Sequence, residues 1–157
     1  MKMIYRKATL KDKKGIAAVL KECYNIDSAE EGIEAFNIEI KRGINYIVAE
    51  ENNTIIGLVT WFFHGLPKHQ LAELDRIAVL PEYRGKGIAH ELFCKLIEHA
   101  NEELKKHGKK LRKLFLMTHA SNKNAHKFYE KLGMKHEATL KDHFYKGEDE
   151  QIYSGFF

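Results

Sequence analysis

Residues 71–118 restrict the folds open to this chain more than any other stretch. Residues 71–80 are an apolar extended run that Pro81 ends, and residues 111–118 are a second run rich in Leu, Phe and Met. Between them, residues 87–107 place Ile88, Ala89, Leu92, Phe93, Leu96, Ile97, Ala100 and Leu104 on one helical stripe, stopped by Gly108. A strand, a long amphipathic helix and a strand in that order predict a right-handed strand-helix-strand crossover. The chain therefore needs a sheet with helical cover.

The flanking segments extend that sheet. Residues 3–8 predict a first strand. Residues 12–24 predict a helix, with Ile16, Val19, Leu20 and Cys23 at helical spacing. Ser28 followed by Glu31 is a capping-box pattern, and the helix it opens runs to about Lys41 and stops near Gly43. Residues 44–50 and 54–63 predict a hairpin turning at Asn52 and Asn53. After the crossover, residues 122–132 predict a helix with Ala125, Phe128, Tyr129 and Leu132 on one face. A last hairpin follows over roughly 134–140 and 150–156. The order βααβββαβαββ is that of a mixed α/β sheet domain.

Composition narrows the class. A chain of 157 residues buries roughly 70% of its unfolded surface, enough to dispense with disulfides or a structural metal. Only 2 Pro, and no repeat or low-complexity tract, point to one domain over residues 1–157. The two cysteines, Cys23 and Cys94, share no redox or metal spacing and are expected to be reduced core thiols in a cytoplasmic protein. No apolar run reaches ~18 residues, and the N-terminal apolar run is too short for a signal peptide, so neither membrane spanning nor secretion is expected. Net charge is +4, and the one dense basic run, residues 105–113, covers a helix end and a loop without an aromatic platform. Nucleic acid is not an expected partner. The nine histidines show no metal-ligand spacing, so no metal is expected.

Chemistry concentrates where the strand feeds the long helix, in Arg84-Gly85-Lys86-Gly87-Ile88-Ala89. The first turn of a helix leaves about four main-chain N–H groups without helical partners, and its dipole adds roughly half a positive charge. Glycines let main chain approach an anion without a Cβ in the way, and Arg84 and Lys86 bring charge to the same place. These features describe a phosphate or pyrophosphate cradle, with a tight strand-helix turn as the plain alternative. There is neither a P-loop nor the third glycine of a dinucleotide fingerprint.

Arg84-x-x-Gly87-x-Ala89, preceded by Ile77-Ala78-Val79 and Pro81-Glu82-Tyr83, resembles the acyl-CoA loop of the GNAT superfamily of N-acetyltransferases. Downstream, Asn122-x-x-Ala125-x-x-x-Tyr129-x-x-x-Gly133-Met134 is similar to a second motif of that family, with Met134 in place of the usual Phe. The resemblance implies a central mixed sheet of about seven strands flanked by about four helices, and acetyl-CoA as cosubstrate. It implies that main-chain groups of Ile77, Ala78 and Val79 pair with the acyl-pantetheine arm, the Val79 N–H donating to the thioester oxygen. The pyrophosphate would lie on the amides of Arg84, Gly85, Lys86, Gly87, Ile88 and Ala89. Asn122 would hold the arm, cap the helix after it, or both.

Transfer to an amine requires that an ammonium with a pKa of ~10.4 lose a proton. Glu73 and Asp75 alternate with Leu71, Ile77 and Val79 on one strand face, and the resemblance makes Glu73, or else Asp75, the base or the end of a water relay; a solvated face or an ion pair is the alternative. Tyr129 is the corresponding acid for the leaving thiolate, against a role as core aromatic. Some members carry a glutamate base in the strand before the Asn motif, where Met117 stands here, and His119 is a weaker candidate. The acceptor, a primary amine of a small molecule, lysine side chain or peptide N-terminus, would be framed by residues 25–34 and 64–69. The acidic residues of the first segment suit either a cationic acceptor or a helix start. Attack in a ternary complex without an acyl-enzyme is the expected route, and a non-catalytic acyl-CoA-binding module is the alternative. A homodimer through an edge strand is left open.

Overall fold

The strand that feeds the crossover helix sits centrally in the sheet. The computed structural model describes residues 2–157. Its elements are β1 (Met3–Lys7), α1 (Lys13–Cys23), α2 (Ala29–Lys41), β2 (Asn45–Glu51), β3 (Thr54–His64) and β4 (Leu71–Val79), then α3 (Ile88–Lys105), β5 (Lys113–His119), α4 (Lys123–Lys131), β6 (Lys135–Tyr145) and β7 (Glu148–Phe156). Both the expected element order and the mixed α/β class are observed. The strands form a seven-stranded sheet in the order β1-β2-β3-β4-β5-β7-β6. β4 and β5 run parallel, whereas β1/β2, β2/β3, β5/β7 and β6/β7 are antiparallel. A crossover through α3 accounts for the parallel pair.

The chain divides into two compact units. The first takes residues up to Phe62 together with Arg76–His99. Its core joins Ile16, Val19 and Leu20 of α1 and Phe36 of α2 to Tyr46, Val48, Leu58 and Ala78 of the strands. The Phe36 and Tyr46 rings meet edge to face at 5.0 Å. Truncating one of these large aliphatic residues to Ala costs about 2–5 kcal/mol. Arg6 on β1 pairs with both Asp12 and Glu50. Cys94 contradicts the expectation of two core thiols: it is exposed, whereas Cys23 is half-buried. Two residues beyond Leu92, Cys94 falls off the stripe that Leu92, Phe93 and Leu96 bury.

The second unit takes Phe63–Asp75 and Ala100–Phe157. On β5, Leu114, Leu116 and Thr118 are buried, and Phe115, Met117 and His119 on the other face are partly exposed. α4 buries His126 and Tyr129, whose rings lie 5.4 and 6.3 Å from that of Tyr153 on β7. The closing hairpin is longer than expected. Its strands reach Tyr145 and begin again at Glu148, so that Lys146 and Gly147 alone connect them. β6 lies at the sheet edge and is mostly exposed, so its far half carries no apolar alternation to announce a strand. A register shift between Leu140 and Tyr145 accommodates Asp142, whose N–H donates to Asp149 and whose carboxylate accepts from the Gly147 N–H.

Candidate active site

Helices α2 and α4 cap their first turns with a side chain, whereas Asp12 at the start of α1 makes no such bond and α3 opens on a glycine. The Ser28 hydroxyl accepts the Glu31 N–H at the start of α2, and the Asn122 side chain accepts the Ala125 N–H at the start of α4. At the start of α3 stands Gly87, whose carbonyl accepts the first helical bond, from Glu91, at 3.1 Å. Having no side chain, Gly87 cannot cap the N–H groups that follow it. Gly85 and Gly87 have φ of +76° and +79°, a region that disfavours other residues, and a Cβ at either would meet nothing within 4 Å. The loop is thus a glycine-lined turn that opens onto uncapped amides, a shape that fits a pyrophosphate. The side chains of Arg84 and Lys86 are both engaged close to the loop. Arg84 Nε donates to the Val79 carbonyl at 2.9 Å, and the Lys86 ammonium lies 5.2 Å from the centroid of the Tyr83 ring.

The end of β4 is crowded by the α1–α2 connection. One hydroxyl, that of Tyr24, donates to the Ile77 carbonyl and accepts from the Ile77 N–H, both at 3.0 Å. These are main-chain groups that the family resemblance assigns to the pantetheine arm. Cys23 Sγ lies 3.6 Å from the Val79 carbonyl and 3.8 Å from Arg84. Burial pushes the Cys23 thiol up, against the opposing pull of Arg84. Nothing in the sequence marked Tyr24 or Cys23 as neighbours of this strand. In the preceding loop, Ser28 and the Glu31 carboxylate, which accepts the Asp27 N–H at 2.7 Å, organise the start of α2.

Glu73 and Asp75 share a strand but not an environment. Paired with Phe115 across the parallel ladder, Glu73 is only 7% exposed, whereas Asp75 is exposed. Glu73 Oε2 lies 2.7 Å from Nε2 of His64, the last residue of β3, whose ring packs 5.1 Å from that of Phe115. Burial pushes the Glu73 carboxyl up and Asp75 adds to the rise, while His64 opposes it. The sequence places His64 in the segment framing the acceptor but not beside Glu73, because the strand was expected to end at Phe63; Phe62 to His64 are in fact partly buried strand residues.

Tyr129 is 6% exposed and packs on Phe128 at 5.3 Å as well as on Tyr153. Asn122 is engaged as the cap of α4. His119, at the end of β5, pairs with Glu150, which is 2% exposed and directly opposite it on β7. Among the described residues, no group of three or more His, Cys, Asp or Glu is placed to hold a metal, and no helix is long and apolar enough to cross a membrane.

The acetyltransferase (GNAT) family model matches residues 14–134, and the chain belongs to that family. It is 33% identical over 117 residues to an N-alpha-acetyltransferase of Saccharolobus solfataricus, a match covering 68% of this chain and 66% of that protein. It is 32% identical over 99 residues to an uncharacterized N-acetyltransferase of Methanocaldococcus jannaschii, covering 61% of this chain and 41% of that one. The chain thus spans less than two thirds of the length of either relative. Among solved structures it is similar to the PaiA N-acetyltransferase of Thermoplasma acidophilum in complex with coenzyme A. The TM-score there is 0.76 at 25% identity, over 100% of both chains.

Proposed function

We propose that the protein is an acetyl-CoA-dependent N-acetyltransferase that acts on a primary amine by direct attack. The observation that carries this reading is the start of α3, where Gly85 and Gly87 hold positive φ beside amides that no N-cap side chain occupies. The amides of residues 84–89 would hold the pyrophosphate of coenzyme A. The main chain of Ile77, Ala78 and Val79 would pair with the pantetheine arm once the Tyr24 hydroxyl gives up its bonds to Ile77, and the Asn122 amide would hold the arm as well. When bound, the thioester supplies an activated acetyl group. The Val79 N–H donates to its oxygen as charge builds there. Glu73, with Asp75 as the exposed alternative, is the base or the end of the relay that draws the proton from the acceptor ammonium, and the Tyr129 hydroxyl returns one to the leaving sulfur.

Direct transfer suits the thiols. Burial raises both Cys23 and Cys94, which disfavours the thiolate that an acyl-enzyme would require. Free-thiol release from acetyl-CoA with a panel of amines tests the reading. Release should depend on the amine and survive Cys23→Ser. Tight coenzyme A binding without release for any amine would make the protein an acyl-CoA-binding module instead.

A further inference from the structure

We infer that His64 is the group that takes the proton from the acceptor amine, with Glu73 as the buried carboxylate that orients it. This rests on the acetyl-transfer reading above. The two side chains are 2.7 Å apart, and their exposures differ: 40% for the imidazole against 9% for the carboxylate. Of the pair, the ring is the part that an amine arriving from solvent meets. Its position is fixed from two directions, by Glu73 at Nε2 and by the Phe115 ring. A carboxylate that accepts from Nε2–H selects the tautomer with its lone pair on Nδ1. The carboxylates at this place are Glu73 and, acting on it, Asp75.

The chemistry favours the ring as well. A carboxylate with an ordinary pKa of ~4.3 lies about six units below an alkyl ammonium, whereas an imidazole at ~6.5 lies about four below it. Proton transfer to an ordinary imidazole is therefore about 100-fold less unfavourable than to an ordinary carboxylate, a gap that the rise at Glu73 narrows. In the step, one N–H bond of the ammonium breaks, its electron pair stays on the amine nitrogen, and an Nδ1–H bond forms. The resulting imidazolium keeps its Nε2–H on Glu73. The amine's lone pair forms the N–C bond as the carbonyl π pair moves onto oxygen. That pair returns as the C–S bond breaks, and the nitrogen's surplus proton passes through the Tyr129 hydroxyl to the leaving sulfur, giving amide and free thiol. His64 afterwards returns the proton to water.

The test combines kinetics with titration of the imidazole. Acetyl transfer to spermidine, lysine and an unblocked peptide would be followed against pH for wild type, His64→Gln, His64→Asn, Glu73→Gln and the double variant, with coenzyme A binding as the check on folding. Both His64 variants should lose roughly 100-fold in kcat at unchanged KM for acetyl-CoA, and should lose the acidic limb of the pH profile. Glu73→Gln should lose less and move that limb to lower pH, and the double variant should be no slower than His64→Gln. By nuclear magnetic resonance without substrate, the His64 imidazole should carry its neutral-state proton on Nε2 and should titrate at lower pH in Glu73→Gln. A His64 variant that keeps the wild-type rate and limb overturns the inference while leaving acetyl transfer intact, as does a His64 titration indifferent to Glu73→Gln. If wild type acetylates none of the amines while binding coenzyme A, the acetyl-transfer reading itself fails and this inference falls with it.

Discussion

Helices α3 and α4 begin in opposite ways: α4 opens on Asn122, whose side chain closes on the Ala125 N–H, whereas α3 opens on Gly87, which offers only main chain at a φ of +79°. Both starts lie within the family's two motifs, yet the difference divides the labour. A start that caps itself contributes through side chains, Asn122 at its tip and Tyr129 on its body. A start left uncapped contributes through its amides and dipole, so that any side chain at Gly87 is a competitor for the anion.

The largest expected effect belongs to the side-chain partner. Tyr129→Phe should slow turnover by roughly 100-fold while coenzyme A binds as before, and a loss well under tenfold would return Tyr129 to the core. Next is Gly87→Asp, which places a carboxylate over the amides of α3. Calorimetry should show coenzyme A binding weakened by about 2 kcal/mol, roughly 30-fold, and unchanged affinity would break the contrast. Acid should leave both helix starts alone and act on β1 instead. Arg6 holds the Asp12 carboxyl down to about 2, against burial and with help from the Thr9 N–H. The stability this pair contributes is present in full above about pH 4 and is lost as pH falls towards 2, by about 1–2 kcal/mol in denaturant melts. Asp12→Asn should remove that slope.

Smaller effects separate the two helix starts further. Asn122→Ala should cost about 1 kcal/mol in thermal melts, because α4 loses its cap. If Asn122 also holds the pantetheine arm, coenzyme A affinity falls in the same variant. Tyr24→Phe removes the hydroxyl that spans Ile77, and coenzyme A should bind a few-fold tighter, in keeping with about 1 kcal/mol for a hydrogen bond no longer displaced. Unchanged or weaker binding would mean that Tyr24 supports the arm rather than making way for it.

What the sequence disclosed was local. The stripe of α3, the Ser28 cap, Gly87 at the entry to the helix and the element order all depend on neighbours within a few positions, and all are observed. What it withheld was contact at a distance. Tyr24 meets Ile77 53 positions away, and His119 meets Glu150 across a register set by β5 and β7. His64 lies nine positions from Glu73, but only the end of β3 brings them together. The period of two put Glu73 and Asp75 on one face, yet it could not reveal that one is buried beside an imidazole and the other exposed. The far half of β6 was invisible because a mostly exposed edge strand need not alternate.

The most direct measurement is a titration of the wild-type protein with coenzyme A, followed by amide resonances and calorimetry together. Grip by the start of α3 predicts that the N–H signals of Gly85, Lys86, Gly87 and Ile88 shift most in the loop, with saturable heat, while the Ala125 amide, already held by Asn122, moves little. Absence of heat, or saturable binding that leaves those four amides unmoved, would contradict the account.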